Sequence, residues 1–271
     1  MPVDHYENFP VASVLLPRRL RPAVEALYAF ARSADDIADE GDAAPVLRLA
    51  QLNDYRREVN AIERGETPSQ PMFARLALAV REHALQPNLL RDLLDAFSQD
   101  VGKTRYADFA ELRDYCRRSA DPVGRLMLRL FKTDTAQHVA WSDQICTSLQ
   151  LINFWQDVAV DWAKGRVYLP ADDRARFGVD EAQIAAGQVD ANWRALMAFE
   201  VQRARSMMLA GAPLALAIPG RFGWELRLVV QGGLRILEAI EAADYDVFRH
   251  RPKLAKPDWL RLVWRAVRMK P

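Results

Sequence analysis

The chain has 271 residues, half of them hydrophobic, with 7 Trp, 11 Phe and 7 Tyr, so it can bury a large core and is no disordered segment. A formal net charge of +1 gives no overall pull toward nucleic acid. Two cysteines, Cys116 and Cys146, are too few for a disulfide framework and lack metal-ligand spacing; the expectation is two buried thiols in a reducing cytoplasm.

Met1-Pro2-Val3-Asp4-His5 lacks the charged-then-apolar pattern of a secretory signal. Residues 1–16 read as extended or loop-like, closed by Pro10 and Pro17. A helix starts near Arg18–Pro22, where an early proline costs least, and runs to Glu40 before Gly41. Further helices span about Pro45–Arg64, Pro71–Ala84 and Pro87–Val101. Asp108, with Glu111 three residues on, caps a fifth; it breaks around Asp121-Pro122-Val123-Gly124 and resumes to Lys132. One long helix covers about Thr135–Trp162, a charged loop covers Lys164–Gly178, and helices return at about 192–210, 222–246 and 258–269. There is no strand pattern, and no apolar run reaches the ~20 residues that cross a bilayer. The reading is an all-α single domain covering 1–271.

Two acidic stretches organise the chemistry. Val24, Leu27, Tyr28 and Ala31 form an apolar helical stripe, and its continuation reaches Asp35 and then Asp39. Asp36 and Asp39 are neighbours one turn apart. Burying bare carboxylates costs roughly several kcal/mol each, so a divalent cation is the expected compensation. In the long helix, Ile145, Leu149, Leu151, Ile152, Phe154, Trp155 and Val158 cover nearly the whole circumference, which predicts burial. Gln150, Asn153, Asp157 and Asp161 nevertheless form one polar column. A satisfied hydrogen-bond network is the plain alternative to metal; a second acidic helix in the same chain favours metal. Oxygen-only donors favour Mg²⁺, or Mn²⁺, over zinc. Arg32 is tied to the first acidic element and Arg166 to the second. Arg18, Arg19, Arg21, Arg117, Arg118, Arg125, Arg129, Lys164, Arg174 and Arg176 read mostly as solvated.

The two aspartate motifs lie about 120 residues apart, with Tyr115-Cys116 between them. The stretches Leu27–Asp39, Leu149–Asp161 and Gly165-Arg166-Val167-Tyr168-Leu169-Pro170 together resemble the squalene/phytoene synthase family over nearly the whole chain. The resemblance implies an isoprenoid-synthase helical bundle around a central cavity, and a prenyl diphosphate substrate. It implies Mg²⁺ held by Asp35, Asp36, Asp39, Asn153, Asp157 and Asp161. Arg32 and Arg166 would contact diphosphate. Phe9, Tyr28, Tyr115 and Tyr168 would line the prenyl cavity, and Asn8, Gln150 and Gln156 would complete the substrate site.

Three departures narrow the resemblance. His5-Tyr6-Glu7-Asn8-Phe9 replaces the usual His-Ser-x-Ser-Phe, Gln156 stands where an arginine is usual, and Ser119-Ala120-Asp121 replaces Val-Ala-Gly. These variants resemble the bacterial HpnC group of hydroxysqualene synthases in hopanoid biosynthesis. That implies presqualene diphosphate and water as substrates. Tyr115, Asn8 and Gln156 are the candidates to orient the water, and with no G-x-G-x-x-G signature in the chain NADPH is not expected. The alternatives are an enzyme condensing two prenyl diphosphates to presqualene diphosphate, squalene or phytoene, and a non-catalytic helical binding protein.

The segment Asp258–Arg268 is amphipathic, with Arg261, Arg265 and Arg268 on one face. A peripheral membrane helix has this pattern, and so does a last helix packed on the domain with a solvated basic face; the second is favoured. The expected location is cytoplasmic, at most peripheral on the inner face of the membrane. The expected partner is a prenyl diphosphate and not a nucleic acid, and the oligomeric state is open.

Overall fold

A computed structural model of the protein describes residues 16–270. A 3-10 turn at Arg18–Leu20 leads into α1 (Arg21–Asp39), followed by α2 (Pro45–Glu63), α3 (Pro71–His83), α4 (Pro87–Asp100), α5 (Phe109–Ser119) and α6 (Asp121–Leu130). Then come α7 (Ala136–Gln156), α8 (Val158–Ala163), α9 (Ala171–Arg176), α10 (Glu181–Ala186) and α11 (Ala191–Gly211). α12 (Leu214–Ala217), α13 (Gly220–Ala242) and α14 (Lys256–Arg268) complete the order. The fold is all-helical; among the described residues the β-structure is an isolated bridge between Arg105 and Val167.

Proline sets many of the starts. It sits in the first two positions of α1, α2, α3, α4, α6 and α14, where its missing N–H leaves no helical carbonyl unpaired. The break before α6 falls at Ala120, as the Asp121-Pro122 pair predicts. The long helix expected over Thr135–Trp162 is instead two. Asp157 leaves helical geometry at ψ 14°, and its amide is shared between the carbonyls of Asn153 and Phe154. α9, α10 and α12 were not expected from periodicity, because each is too short to show one. α10 did carry end signals: Asp180 caps the Gln183 amide, and Gly187 closes the helix at φ +59°.

The helices group into two compact units that the chain enters alternately. One runs up to Lys103 and includes Arg117–Val139; the other holds Thr104–Cys116 and Ala140 onward. In the first, α1 packs on α2, α3 and α4, and α4 on α6. Its core holds Phe30 against Phe73 with ring centroids at 6.2 Å, and Tyr55 edge-on to Phe73 at 4.9 Å. The end of α1 is tied down by Arg48, whose guanidinium donates to the carbonyls of Ile37 (3.0 Å) and Ala38 (2.8 Å) and, through Nε, to Ala43 (2.9 Å). The Ile37 and Ala38 carbonyls are among those a helix C-terminus leaves unpaired, and a cation suits that end of the dipole.

In the second unit α11 packs on α13, and α13 on α12 and α14. Trp193 is fully buried and donates its indole N–H to the Tyr245 carbonyl at 2.9 Å. Gly211 ends α11 in close approach to α7: a Cβ there would lie 2.6 Å from the Trp141 carbonyl oxygen and 2.7 Å from Ile145 Cγ1. Backbone cannot yield as a side-chain tip does. Gly211→Ala is therefore expected to destabilise the protein by about 1–3 kcal/mol in urea unfolding. Gly232→Ala, whose Cβ would meet its nearest neighbour at an ordinary 3.8 Å, is the near-neutral control.

Candidate active site

The acidic end of α1 lies in the first unit. The buried face of the helix continues through Ala31, Ala34 and Ala38, and Asp35 and Asp39 flank it. The carboxylates therefore do not terminate the buried stripe, contrary to the pattern read from Val24, Leu27 and Tyr28. A 3.6-residue period places Ala34 and Ala38 nearer the centre of the face. The side chains of Asp35 and Asp36 are 44% and 40% exposed, so their desolvation cost is moderate. Arg32 balances them, at 2.7 Å from Asp36, 3.8 Å from Asp35 and 2.9 Å from Glu40. Burial pulls the Arg32 pKa down, but Asp36, Asp35 and Glu40 outweigh it and hold the guanidinium more firmly charged than usual. Tyr28, one turn before Arg32, is half-buried.

The second acidic element belongs to the second unit. Leu151, Ile152, Phe154 and Trp155 are buried, while Gln150, Asn153, Gln156, Asp157 and Asp161 are only partly so. The helix is thus covered on its apolar side and open along its polar column. The Asn153 amide donates to Asp157 Oδ2 at 3.1 Å. Arg251 grips the same carboxylate with two N–H groups, Nε on Oδ1 and Nη2 on Oδ2, the latter at 2.9 Å. Next to it, Gln156 donates to the Pro252 carbonyl at 2.6 Å. Two successive residues at the end of α7 thereby fasten two successive residues of the segment before α14. Beyond the break, the Arg166 amide donates to the Asp161 carbonyl at 2.8 Å.

Four rings form an aromatic wall in this unit. Phe154 and Tyr168 stack at 3.7 Å with planes 7° apart. Tyr106 stacks on Tyr168 at 5.7 Å, and Tyr115 lies 5.5 Å from Tyr106 and 6.3 Å from Phe154. All four are buried. Tyr115 and Tyr168, both expected to line a prenyl cavity, lie 6.1 Å apart; no motif singles out Tyr106, and Phe154 reads from the sequence as part of a buried helix face. The isolated bridge Arg105–Val167 accounts for the meeting, since it carries Tyr106 and Tyr168 side by side.

A buried carboxyl pair supports the loop that bears Tyr168. Glu200 on α11 is fully buried and Asp173 on α9 nearly so. Arg203 reaches both, at 2.7 Å from Asp173 and 2.9 Å from Glu200, and its guanidinium lies over the Phe109 ring at 4.1 Å. Burial pushes the Glu200 pKa up to about 8; Arg203 opposes the shift, and Asp173 adds to it by charge and by hydrogen bond. The loop cations serve packing: Arg174 donates to the Leu169 carbonyl, and Arg176 lies over the Phe199 ring.

Of the other expected site residues, Asn8 and Phe9 lie outside the described residues. Among the described residues no three His, Cys, Asp or Glu side chains converge closely enough to hold a metal ion by themselves. Two surface hollows, of about 720 and 750 Å³, are lined by Tyr55 and Phe73 with their neighbours and by Arg194 and Arg249 with theirs; no aspartate of either motif lines them. Both cysteines are unbridged; Cys116 is buried, as expected, but Cys146 only half so.

Arg251 at Asp157, like Tyr106 in the aromatic wall, is a contact that sequence reasoning did not place. Arg251 lies 94 residues from Asp157, and no spacing rule links them.

An all-helical chain with these two acidic helices and an aromatic wall has the build of an enzyme that processes prenyl diphosphates, and comparison with known proteins agrees. The squalene/phytoene synthase family model matches residues 3–258. The protein belongs to the squalene/phytoene synthase family. The crystal structure of squalene synthase HpnC from Alicyclobacillus acidocaldarius is similar with a TM-score of 0.83 and 38% identity, covering 89% of this chain and 90% of that one. A hydroxysqualene synthase from Rhodopseudomonas palustris is 38% identical over 242 residues, 88% of this chain and 80% of that protein. A phytoene synthase from Arthrospira platensis is 30% identical over 273 residues, 96% of this chain and 87% of that protein. A dehydrosqualene synthase structure, 23% identical with a TM-score of 0.82, shares the fold. The non-catalytic reading is set aside by this membership.

The Glu200 site makes a pH prediction. Between the ordinary carboxylate value of 4.5 and about 8, the folded state keeps a proton that the unfolded state has released. Its stabilising contribution is therefore complete below that window and lost as pH rises through it, on the order of 1 kcal/mol per pH unit. Glu200→Gln, which keeps a donor for Asp173 and an acceptor for Arg203, should flatten this slope. Melting temperatures from pH 5 to pH 8 should show the variant gaining on the wild type as pH rises; parallel profiles would refute the shared proton.

Proposed function

We propose that this protein is a hydroxysqualene synthase of hopanoid and squalene biosynthesis, converting presqualene diphosphate and water to hydroxysqualene and diphosphate. The observation that carries the reading is the likeness at 38% identity to both the HpnC structure and a named hydroxysqualene synthase, over most of each chain. Condensation of two prenyl diphosphates is the second reading, supported by the 30% identity to a phytoene synthase.

In this reading the carbon–oxygen bond to diphosphate breaks heterolytically and leaves a C30 carbocation. Water adds to the cation and then loses a proton. Arg32 and Arg166 oppose the charge that develops on the departing diphosphate. The rings of Tyr115, Phe154 and Tyr168 face the cation, each worth roughly 0.5–2 kcal/mol, and keep bulk water away from it. Tyr28 and Phe9 extend the apolar lining, and Gln150 and Asn8 are polar contacts to the substrate. Gln156 holds Pro252 and so keeps Arg251 at Asp157.

Mg²⁺ is the cofactor we assign, and the donors are of the right kind: carboxylate oxygens of Asp35, Asp36, Asp39, Asp157 and Asp161, and the amide oxygen of Asn153. When bound it would supply Lewis-acid charge to the leaving group. This metal commonly takes one or two carboxylates and fills its remaining positions with water and substrate phosphate, so a protein cage of three converging ligands is not required. Arg32 and Arg251 balance the carboxylates and would give way to it.

Purified protein with Mg²⁺ and presqualene diphosphate should yield hydroxysqualene. If presqualene diphosphate is left unchanged while farnesyl diphosphate alone is condensed, the second reading replaces the first. Asp35→Asn and Asp157→Asn should each lower turnover by roughly a hundredfold or more with unchanged helicity. Full activity in either would remove the metal assignment.

A further inference from the structure

The last helix carries a surface that catalysis does not account for. α14 touches the second unit along a narrow strip: Leu262 and Ala266 are buried against the body of the unit, where α14 packs on α13. Three ion pairs secure the contact. Arg265 lies 2.6 Å from Glu238, Arg261 3.5 Å from the same carboxylate, and Arg235 of α13 2.7 Å from Asp258. The basic face is thus partly engaged with the domain. The orientation favoured from the sequence, packed on the domain with a solvated basic face, holds in part: Arg261 and Arg268 stay exposed, Arg265 is half-covered, and the apolar strip that packs is narrow.

The solvent side of α14 is apolar. Trp259, Leu260, Val263, Trp264 and Val267 are 49–81% exposed, with Leu260 the most open. Their spacing places them on one continuous arc of the helix, adjoining the Leu262–Ala266 strip. Five large apolar side chains on one exposed arc are more than the single scattered residues of an ordinary surface. Charge surrounds them on the same segment. Residues 253–270 contain Lys253, Lys256, Arg261, Arg265, Arg268 and Lys270 against the single acid Asp258, in a chain whose net charge is only +1. Arg268 lies over the Trp264 ring at 4.2 Å, its charge beside the apolar arc.

We propose that the outer face of α14 is a docking surface for an anionic phospholipid membrane, with Trp259, Leu260, Val263, Trp264 and Val267 entering the interface and the flanking lysines and arginines meeting lipid phosphates. The charge decides between occupants. A second copy seated face to face would bring two strongly basic segments together, whereas an anionic bilayer complements the arc and its rim at once. Two tryptophans and long basic side chains are what the polar–apolar boundary of a membrane favours. The helix is too short and too charged to cross a bilayer, and no helix among the described residues is long and apolar enough to do so. The contact is therefore a lateral one, in the plane of the surface. It depends on α14 alone and stands whichever prenyl diphosphate the protein takes.

Flotation with vesicles tests it, using the full chain. Vesicles of phosphatidylcholine mixed one to one with phosphatidylglycerol should carry the protein up, and pure phosphatidylcholine should bind on the order of tenfold more weakly. Leu260→Ser with Val267→Ser, and separately Lys256→Gln with Lys270→Gln, should each weaken binding to the mixed vesicles by about tenfold. These side chains are exposed, so circular dichroism and melting should match the wild type. Binding of the wild type to neither vesicle would overturn the proposal, as would serine variants that float like the wild type. A concentration-dependent dimer in sedimentation that the serine pair abolishes, with no flotation, would assign the face to a second copy instead.

Discussion

A balance of carboxylate against guanidinium recurs through the acidic clusters of this protein. Arg32 faces Asp35, Asp36 and Glu40 at the end of α1, Arg251 grips Asp157 after α7, and Arg203 bridges Asp173 and Glu200 beneath the Tyr168 loop. The three differ in burial, and burial decides what each does. Half-exposed carboxylates keep most of their hydration, so Arg32 can leave them at modest cost. Asp157 is more enclosed and is held by two guanidinium hydrogen bonds and an amide. Glu200 is fully buried, one guanidinium cannot satisfy two carboxylates, and a retained proton is the lower-energy solution. An acidic helix can therefore be either a place where a cation is exchanged or a fixed joint, and the distinction lies in solvent access.

The aromatic wall shows how little backbone is needed to assemble a site from distant segments. A single bridge between Arg105 and Val167 sets Tyr106 against Tyr168, and α5 and α7 bring Tyr115 and Phe154 to the same rings. Behind it, the Asp173–Arg203–Glu200 cluster ties α9, which begins directly after Tyr168-Leu169-Pro170, to the long helix α11. The loop that carries Tyr168 is thus anchored by a charged, desolvated joint. A wall that limits access of water needs such stiffness, because a loosened ring would open a path to premature capture of the cation.

The family and the helical fold were legible in the residues because their causes are local. Prolines at helix starts, glycines and capping aspartates at ends, and apolar stripes of helical period all act within a turn or two of the chain. The motifs Leu27–Asp39, Leu149–Asp161 and Gly165–Pro170 are likewise continuous stretches. The errors have physical reasons of the same kind. Helices of four to six residues, such as α10 and α12, show no period. The break at Asp157 has no proline or glycine to announce it.

Sequence alone determined that the protein is all-helical, that it carries two acidic helices and the motifs of a family that processes prenyl diphosphates, and that its last helix is amphipathic. Only the tertiary structure decided which arginine balances which aspartate, since Arg251 meets Asp157 across 94 residues of chain. It also decided which arc of α14 is covered. Periodicity shows that a helix has an apolar side, but the width of the strip that packs is set by the neighbouring helix, and α13 covers Leu262 and Ala266 while leaving Trp259 and Trp264 outside. The carboxylates of α1 make the same point. The stripe predicted them at the buried centre, and packing turned Ala34 and Ala38 inward instead, because alanine lets helices approach at no desolvation cost where aspartate would not.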